Sequence, residues 1–187
     1  MRNSNGETTD HLRIDDNRFF DLLVAEARDS LRANAEIVTL SRGQLFDYSL
    51  PRQPFVYFPL SCWLTLDVVM PSGARHQLCT IGPAGVVGVL PLLGTDLPRL
   101  LVSVITEGLA ARVSAAEFVS TMQKTPALLH QFTDYIACLN RNVEHWMNMS
   151  ITDRTHGREV ATALNKARVM TESGVIGVSP TASLSSR

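Results

Sequence analysis

Cysteine is scarce in this chain. Only Cys62, Cys79 and Cys138 occur among 187 residues, an odd and widely spaced set that argues against a disulfide framework and leaves one ligand too few for a four-thiolate iron–sulfur cluster. Histidine is equally sparse: His76 alone lies between His11 and His130, so the middle of the chain has no histidine cluster of the kind a metal enzyme needs. His76 and Cys79 stand three apart on a predicted strand, which puts them on opposite faces. His130, Cys138 and His145 share a predicted helix without the four-residue spacing that brings two ligands together. Neither a Ser-His-Asp set nor a carboxylate pair stands out, so no catalytic residue, metal or cofactor is expected, and the chain does not read as an enzyme.

Excess charge is missing too. The formal net charge is −1, which provides no chain-wide basic field for nucleic acid or anionic lipid. No apolar run reaches the length that spans a bilayer, and the polar N-terminal stretch lacks the apolar core of a signal peptide. A cytoplasmic protein with no membrane partner is expected. Residues 51–110 hold only Arg52, Arg75 and Arg99 against Asp67, Asp96 and Glu107, the mark of a stretch that supplies most of a buried sheet.

In that stretch short β-type runs recur at Val56–Phe58, Trp63–Met70, Gln77–Ile81, Val102–Ile105 and Leu109–Val113, with Glu36–Leu40 and Leu45–Tyr48 ahead of them. Turn residues separate them: Gly43, Pro51 and Pro54, then Pro71-Ser72-Gly73. Such spacing predicts antiparallel hairpins closing into a sandwich or roll. Leu64, Leu66 and Val68 alternate with Thr65 and Asp67, so one face of that hairpin is core. Between the strands, Gly82-Pro83-Ala84-Gly85-Val86-Val87-Gly88-Val89-Leu90-Pro91-Leu92-Leu93-Gly94 reads as a tight glycine loop feeding a very short helix.

Helices flank the strands. Asn17 is placed to cap a helix carrying Phe19, Phe20, Leu22 and Leu23, continued or restarted toward Leu31. Ser114-Ala115-Ala116-Glu117 is a capping box that starts a helix running to about Lys124, and Thr125-Pro126 starts a longer one. On that longer helix Leu129, Phe132, Ile136, Leu139, Val143 and Trp146 follow spacings of 3, 4, 3, 4 and 3, the pattern of a two-helix seam. It predicts a homodimer, against the alternative that the row packs on the chain's own strands.

The series Val56-Tyr57-Phe58-Pro59, Leu64-Thr65-Leu66, Pro71-Ser72-Gly73, Gly82, Gly85, Gly88 and Leu92-Leu93-Gly94 resembles the cyclic-nucleotide-binding β-roll of the Crp/Fnr bacterial transcription regulators over residues 17–150. The resemblance implies an α+β fold: an antiparallel β-roll of double-stranded β-helix or jelly-roll type, with N-terminal helices and a long C-terminal dimerisation helix. The expected organisation is a disordered tail at 1–16, the cyclic-nucleotide-binding-like roll with its flanking helices at 17–125, the dimerisation helix at 126–149, and a degenerate or truncated segment at 150–187. Members of that family normally follow the dimer helix with a winged helix-turn-helix for DNA, and the 37 residues after Ser150, with five Lys/Arg against three Asp/Glu, are too few for it. DNA binding is therefore expected of the full-length family and not of this chain alone.

In the resembled pocket a glycine loop and a short helix offer amides to a cyclic phosphate, an arginine pairs with it, and a glutamate holds the ribose hydroxyl. The resemblance places the candidate ligand-binding residues at Gly85, Gly88, Val89, Arg99 and Leu100. Val89 stands where the glutamate is expected, Leu100 where Ser or Thr is common, and Pro91 removes an amide from the short helix. With one phosphate-type residue kept and two polar partners lost, cAMP and cGMP are not expected to bind, and any effector is a different small molecule. The implied role is the sensor and dimerisation module of a transcriptional regulator; the alternative is a stand-alone module that pairs with another protein or with an intact family member.

Overall fold

A computed structural model describes residues 12–48, 55–69, 73, 75–93 and 99–149, the side chains of 93, 134, 138–140 and 142–149 excepted. The expectations for residues 1–11, the prolines at 51 and 54, Pro71-Ser72, Gly94 and the segment 150–187 lie outside the described residues.

Among the described residues seven strands follow two short helices, α1 (Arg18–Asp21) and α2 (Ala25–Ala33). They are β1 (Glu36–Leu40), β2 (Leu45–Asp47), β3 (Phe55–Pro59), β4 (Trp63–Val69), β5 (Arg75–Ile81), β6 (Leu100–Thr106) and β7 (Gly108–Ser114). Helices α3 (Ala115–Lys124) and α4 (Pro126–Met149) close the described chain. All pairings are antiparallel and form two sheets, ordered β1-β7-β3 and β2-β6-β4-β5. The fold is thus the antiparallel β-roll with flanking helices that the strand spacing predicts.

Local chemistry sets the element ends. Gly43, at φ +84°, makes the turn between β1 and β2 in a left-handed conformation that a side chain would strain. Ser114 caps α3, its hydroxyl accepting from the Glu117 N–H at 3.2 Å. Asn17 caps α1 by accepting from the Phe20 N–H at 2.9 Å, and its fully buried amide donates to the carbonyls of Pro59 at 2.8 Å and Gly85 at 3.0 Å. One side chain therefore ties the N-terminal helix to the end of β3 and to the glycine loop.

Two expectations need correcting. Ile14 is buried and Ile14–Asp16 form a 3-10 turn, so ordered packing starts before residue 17, because one apolar side chain is enough to anchor a short turn. A register shift in β5 places Cys79 opposite Leu66 and His76 opposite Val68. The extra residue of the bulge cancels the strand's alternation, and His76 and Cys79 share a face.

The core is aromatic where the helices meet the three-stranded sheet. Phe58 of β3 meets Phe20 edge-on, with centroids 5.6 Å apart, and Phe118 of α3 meets Phe132 of α4 at 5.5 Å. Leu129, Phe132 and Ile136 are buried in this same core. The first half of the apolar row on α4 is thus covered by the chain's own roll, as a regular row permits when a sheet lies within reach.

Candidate functional site

The glycine segment after β5 builds a pocket against the four-stranded sheet, with Tyr135 of α4 on its wall. Its first turn closes with the Gly85 N–H donating to the Gly82 carbonyl at 3.0 Å. Val87 then makes a two-way bridge with Tyr57 of β3, both bonds at 3.0 Å. Gly88 turns the chain at φ +92°; a Cβ there would stand 2.7 Å from the Phe55 carbonyl oxygen and 3.0 Å from the Tyr48 hydroxyl. Only glycine fits. Leu90–Leu93 follow as the short helix, of 3-10 type, with the Leu92 N–H donating to the Val89 carbonyl at 3.0 Å.

Beneath Gly88 lies a cavity of about 20 Å³, room for a water-sized occupant. Its wall is Tyr48, Leu66, Ile81, Val86, Val87, Gly88, Val89, Leu90, Pro91, Leu100, Val102 and Tyr135. Among the described residues no charged side chain lines it. Of the five residues assigned from the sequence, Gly88, Val89 and Leu100 are brought together here, while Gly85 and Arg99 do not line the cavity. Val89 is 1 % exposed and turns an aliphatic surface inward.

Arg99 precedes Leu100, which faces the cavity, and strand alternation turns Arg99 the other way. Its guanidinium donates twice to one carboxylate oxygen of Asp47, at 2.6 and 3.0 Å, and its side chain is 57 % exposed. The arginine is an outer-surface group with its anion already supplied by the fold.

Tyrosines carry what polarity the cavity has; sequence reasoning sets Tyr135 beside the helix seam and assigns Tyr48 no role. Tyr135 of α4 donates its hydroxyl to the Val86 carbonyl at 2.5 Å. The Tyr48 hydroxyl is buried with no hydrogen-bond partner, and burial pushes it well above the ordinary phenol range, so it stays protonated. The available signal was parity: Phe46 is an apolar core candidate on β2, and Tyr48, two residues on, shares its face. Burial likewise raises Tyr57, opposed by the Arg112 guanidinium. Cys62 is a buried thiol pushed up to about 11 and chemically quiet. Among the described residues no group of three or more His, Cys, Asp or Glu side chains could hold a metal, and no helix is long and apolar enough to cross a membrane.

No family model matches the sequence, and no curated protein matches it significantly. Solved structures do resemble it. The catabolite activator protein of Thermus thermophilus is 14% identical with a TM-score of 0.55, over 84% of this chain and 84% of that one. CooA from Carboxydothermus hydrogenoformans is 10% identical with a TM-score of 0.54, over 75% of this chain and 90% of that one. The regulatory subunit of a cAMP-independent protein kinase A from Trypanosoma brucei is 13% identical with a TM-score of 0.55, over 65% of this chain but only 44% of that subunit. Together with the two antiparallel sheets and the glycine segment between them, these likenesses show that the chain has the cyclic-nucleotide-binding-like β-roll fold found in Crp/Fnr-type regulators and kinase regulatory subunits.

Proposed function

We propose that the chain is the sensor module of a Crp/Fnr-type transcriptional regulator whose pocket responds to something other than a cyclic nucleotide. The observation that carries this reading is the cavity wall. Val89 offers a ribose hydroxyl no acceptor, no cation among the described residues lines the cavity, and Arg99 sits outside in a pair with Asp47. A nucleotide would bury its phosphate charge and its ribose hydroxyls without partners, a cost of several kcal/mol. Titration calorimetry with cAMP and cGMP tests it: heats at the level of dilution are expected, and a micromolar dissociation constant for either one refutes the reading.

The output of the sensor is α4. The bond from Tyr135 to the Val86 carbonyl ties this helix to the glycine segment, so movement of that segment acts on α4. Because Leu129, Phe132 and Ile136 are committed to the chain's own core, pairing of two chains falls to the continuation of the row at Leu139, Val143 and Trp146. Leu139→Glu should give a folded monomer by light scattering and circular dichroism; a persisting dimer refutes the seam. A second reading, a stand-alone interaction module, draws on the exposed Leu45, Trp63 and Ile105 of the four-stranded sheet. Native mass spectrometry of the chain mixed with an intact regulator of this fold separates the two, since a mixed complex favours the second.

A further inference from the structure

The Tyr48 hydroxyl is the one polar side-chain atom among the described residues that is buried and unpartnered. A fold that leaves a phenol in that condition forgoes the energy of a hydrogen bond, unless something outside the chain supplies the partner. The hydroxyl is not buried against packed carbon on every side. It packs against the bare Cα of Gly88, in the space a Cβ would need, and lies on the wall of the cavity. Tyr135, the other phenol on that wall, is engaged with the Val86 carbonyl.

We propose that this cavity is a binding site for a small uncharged ligand whose hydrogen-bond acceptor pairs with the Tyr48 hydroxyl. The proposal rests on the reading of the roll as a non-nucleotide sensor and gives that sensor its ligand class. Three features define the class. The wall is aliphatic apart from its two phenols, so the body of the ligand is apolar. Among the described residues neither a cation nor an anion lines the cavity, and Arg99, next to Leu100, is taken by Asp47, so a charged ligand would be desolvated without compensation. The protonated phenol is the available donor, so the recognised atom is an acceptor such as a carbonyl, ether or hydroxyl oxygen. Size follows from the cavity of about 20 Å³, which as it stands has room for a water-sized occupant only: the ligand enters by displacing the short Leu90–Leu93 helix.

Cyclopentanone and methylenecyclopentane share a shape and differ in whether an acceptor is present, which makes them suitable probes. Both are titrated by ligand-observed NMR into the full chain and into Tyr48→Phe. The ketone should bind the wild type about tenfold tighter than the variant, the loss expected for one buried hydrogen bond, while the hydrocarbon should not distinguish them. Equal ketone binding by both proteins overturns the proposal, as does no ketone binding by the wild type. Thermal unfolding without probe supplies an independent check. Tyr48→Phe should melt at the wild-type temperature or above, because the lost hydroxyl had no partner; a lower melting temperature shows that the hydroxyl is satisfied within the fold and overturns the proposal. Titrating cAMP into the same samples keeps the two readings apart. Nucleotide binding refutes the non-nucleotide sensor whatever the ketone does, and a ketone that ignores Tyr48 refutes this site alone.

Discussion

The two sheets of the roll are built from similar strands and are used differently. The three-stranded sheet is covered on both faces at its β3 edge, where Phe58 meets Phe20 and Phe118 on the helical side and Tyr57 meets Phe46 across the roll with centroids 4.9 Å apart, while its β1 edge leaves Ile37 exposed. On that edge strand Val56 to Pro59 are buried without alternation. The four-stranded sheet turns Leu64, Leu66, Val68, Val102 and Val104 inward and leaves Leu45, Trp63 and Ile105 exposed on its other side. The glycine segment is joined to the doubly covered sheet through the Tyr57–Val87 bridge, which places the cavity next to the elements that lead to α4.

The largest effect that would test this contrast comes from Phe58→Ala, which opens a cavity among the rings of Phe20, Phe58 and Phe118. A loss of about 3–5 kcal/mol is expected, a large share of the roughly 5–15 kcal/mol that holds a domain folded. Trp63 is bulkier but 47 % exposed, and Trp63→Ala should cost about 1 kcal/mol or less. Urea denaturation of the two variants checks the comparison; equal losses would mean that the four-stranded sheet is covered as well.

A smaller effect is expected at the joint between the helices and the glycine loop. Asn17→Ala strands the Phe20 N–H and the carbonyls of Pro59 and Gly85, and the combined loss of a cap and two buried bonds should be about 2–4 kcal/mol. Local damage should exceed global damage: amide exchange ought to quicken in Arg18–Asp21 and around Gly85 more than in β6. Uniform exchange would show that Asn17 is an ordinary surface cap.

These contrasts also mark what the sequence discloses and what it hides. Strand positions, the Ser114 cap and the break at Thr125-Pro126 are local signals, and each corresponds to an observed boundary. The β5 bulge is not local, since it exists only relative to the partner strand, so the shared face of His76 and Cys79 could not be read from a spacing of three. The direction of Arg99 likewise depends on strand parity near a loop, where a shift of one residue exchanges pocket for surface. On α4 a 3-4 row specifies an apolar face and is silent about what covers it, which is why Leu129, Phe132 and Ile136 read as a seam and are core. Tyr48 was legible only as a residue of inward parity; that its hydroxyl is orphaned is a property of the assembled interior.

The smallest expected effect lies on the more open side of the four-stranded sheet and depends on pH. Asp67 of β4 faces away from Leu66 and Val68, and partial burial raises its carboxyl above the ordinary range, with Thr65 and Arg75 opposing the shift. Its folded pKa therefore exceeds its unfolded one, so over the interval between them the native state binds more protons than the unfolded chain. Stability linked to this group is fully present below the unfolded value near 3.8 and declines as pH rises through the folded value. Asp67→Asn removes the desolvation penalty while keeping the shape, so the variant should melt at a slightly higher temperature than the wild type at neutral pH, and the difference should vanish as pH falls below about 4. Calorimetric melts at the two pH values decide it. A variant less stable than the wild type at neutral pH would mean that the Thr65 and Arg75 contacts outweigh burial, and that this side of the four-stranded sheet is wetter than the other.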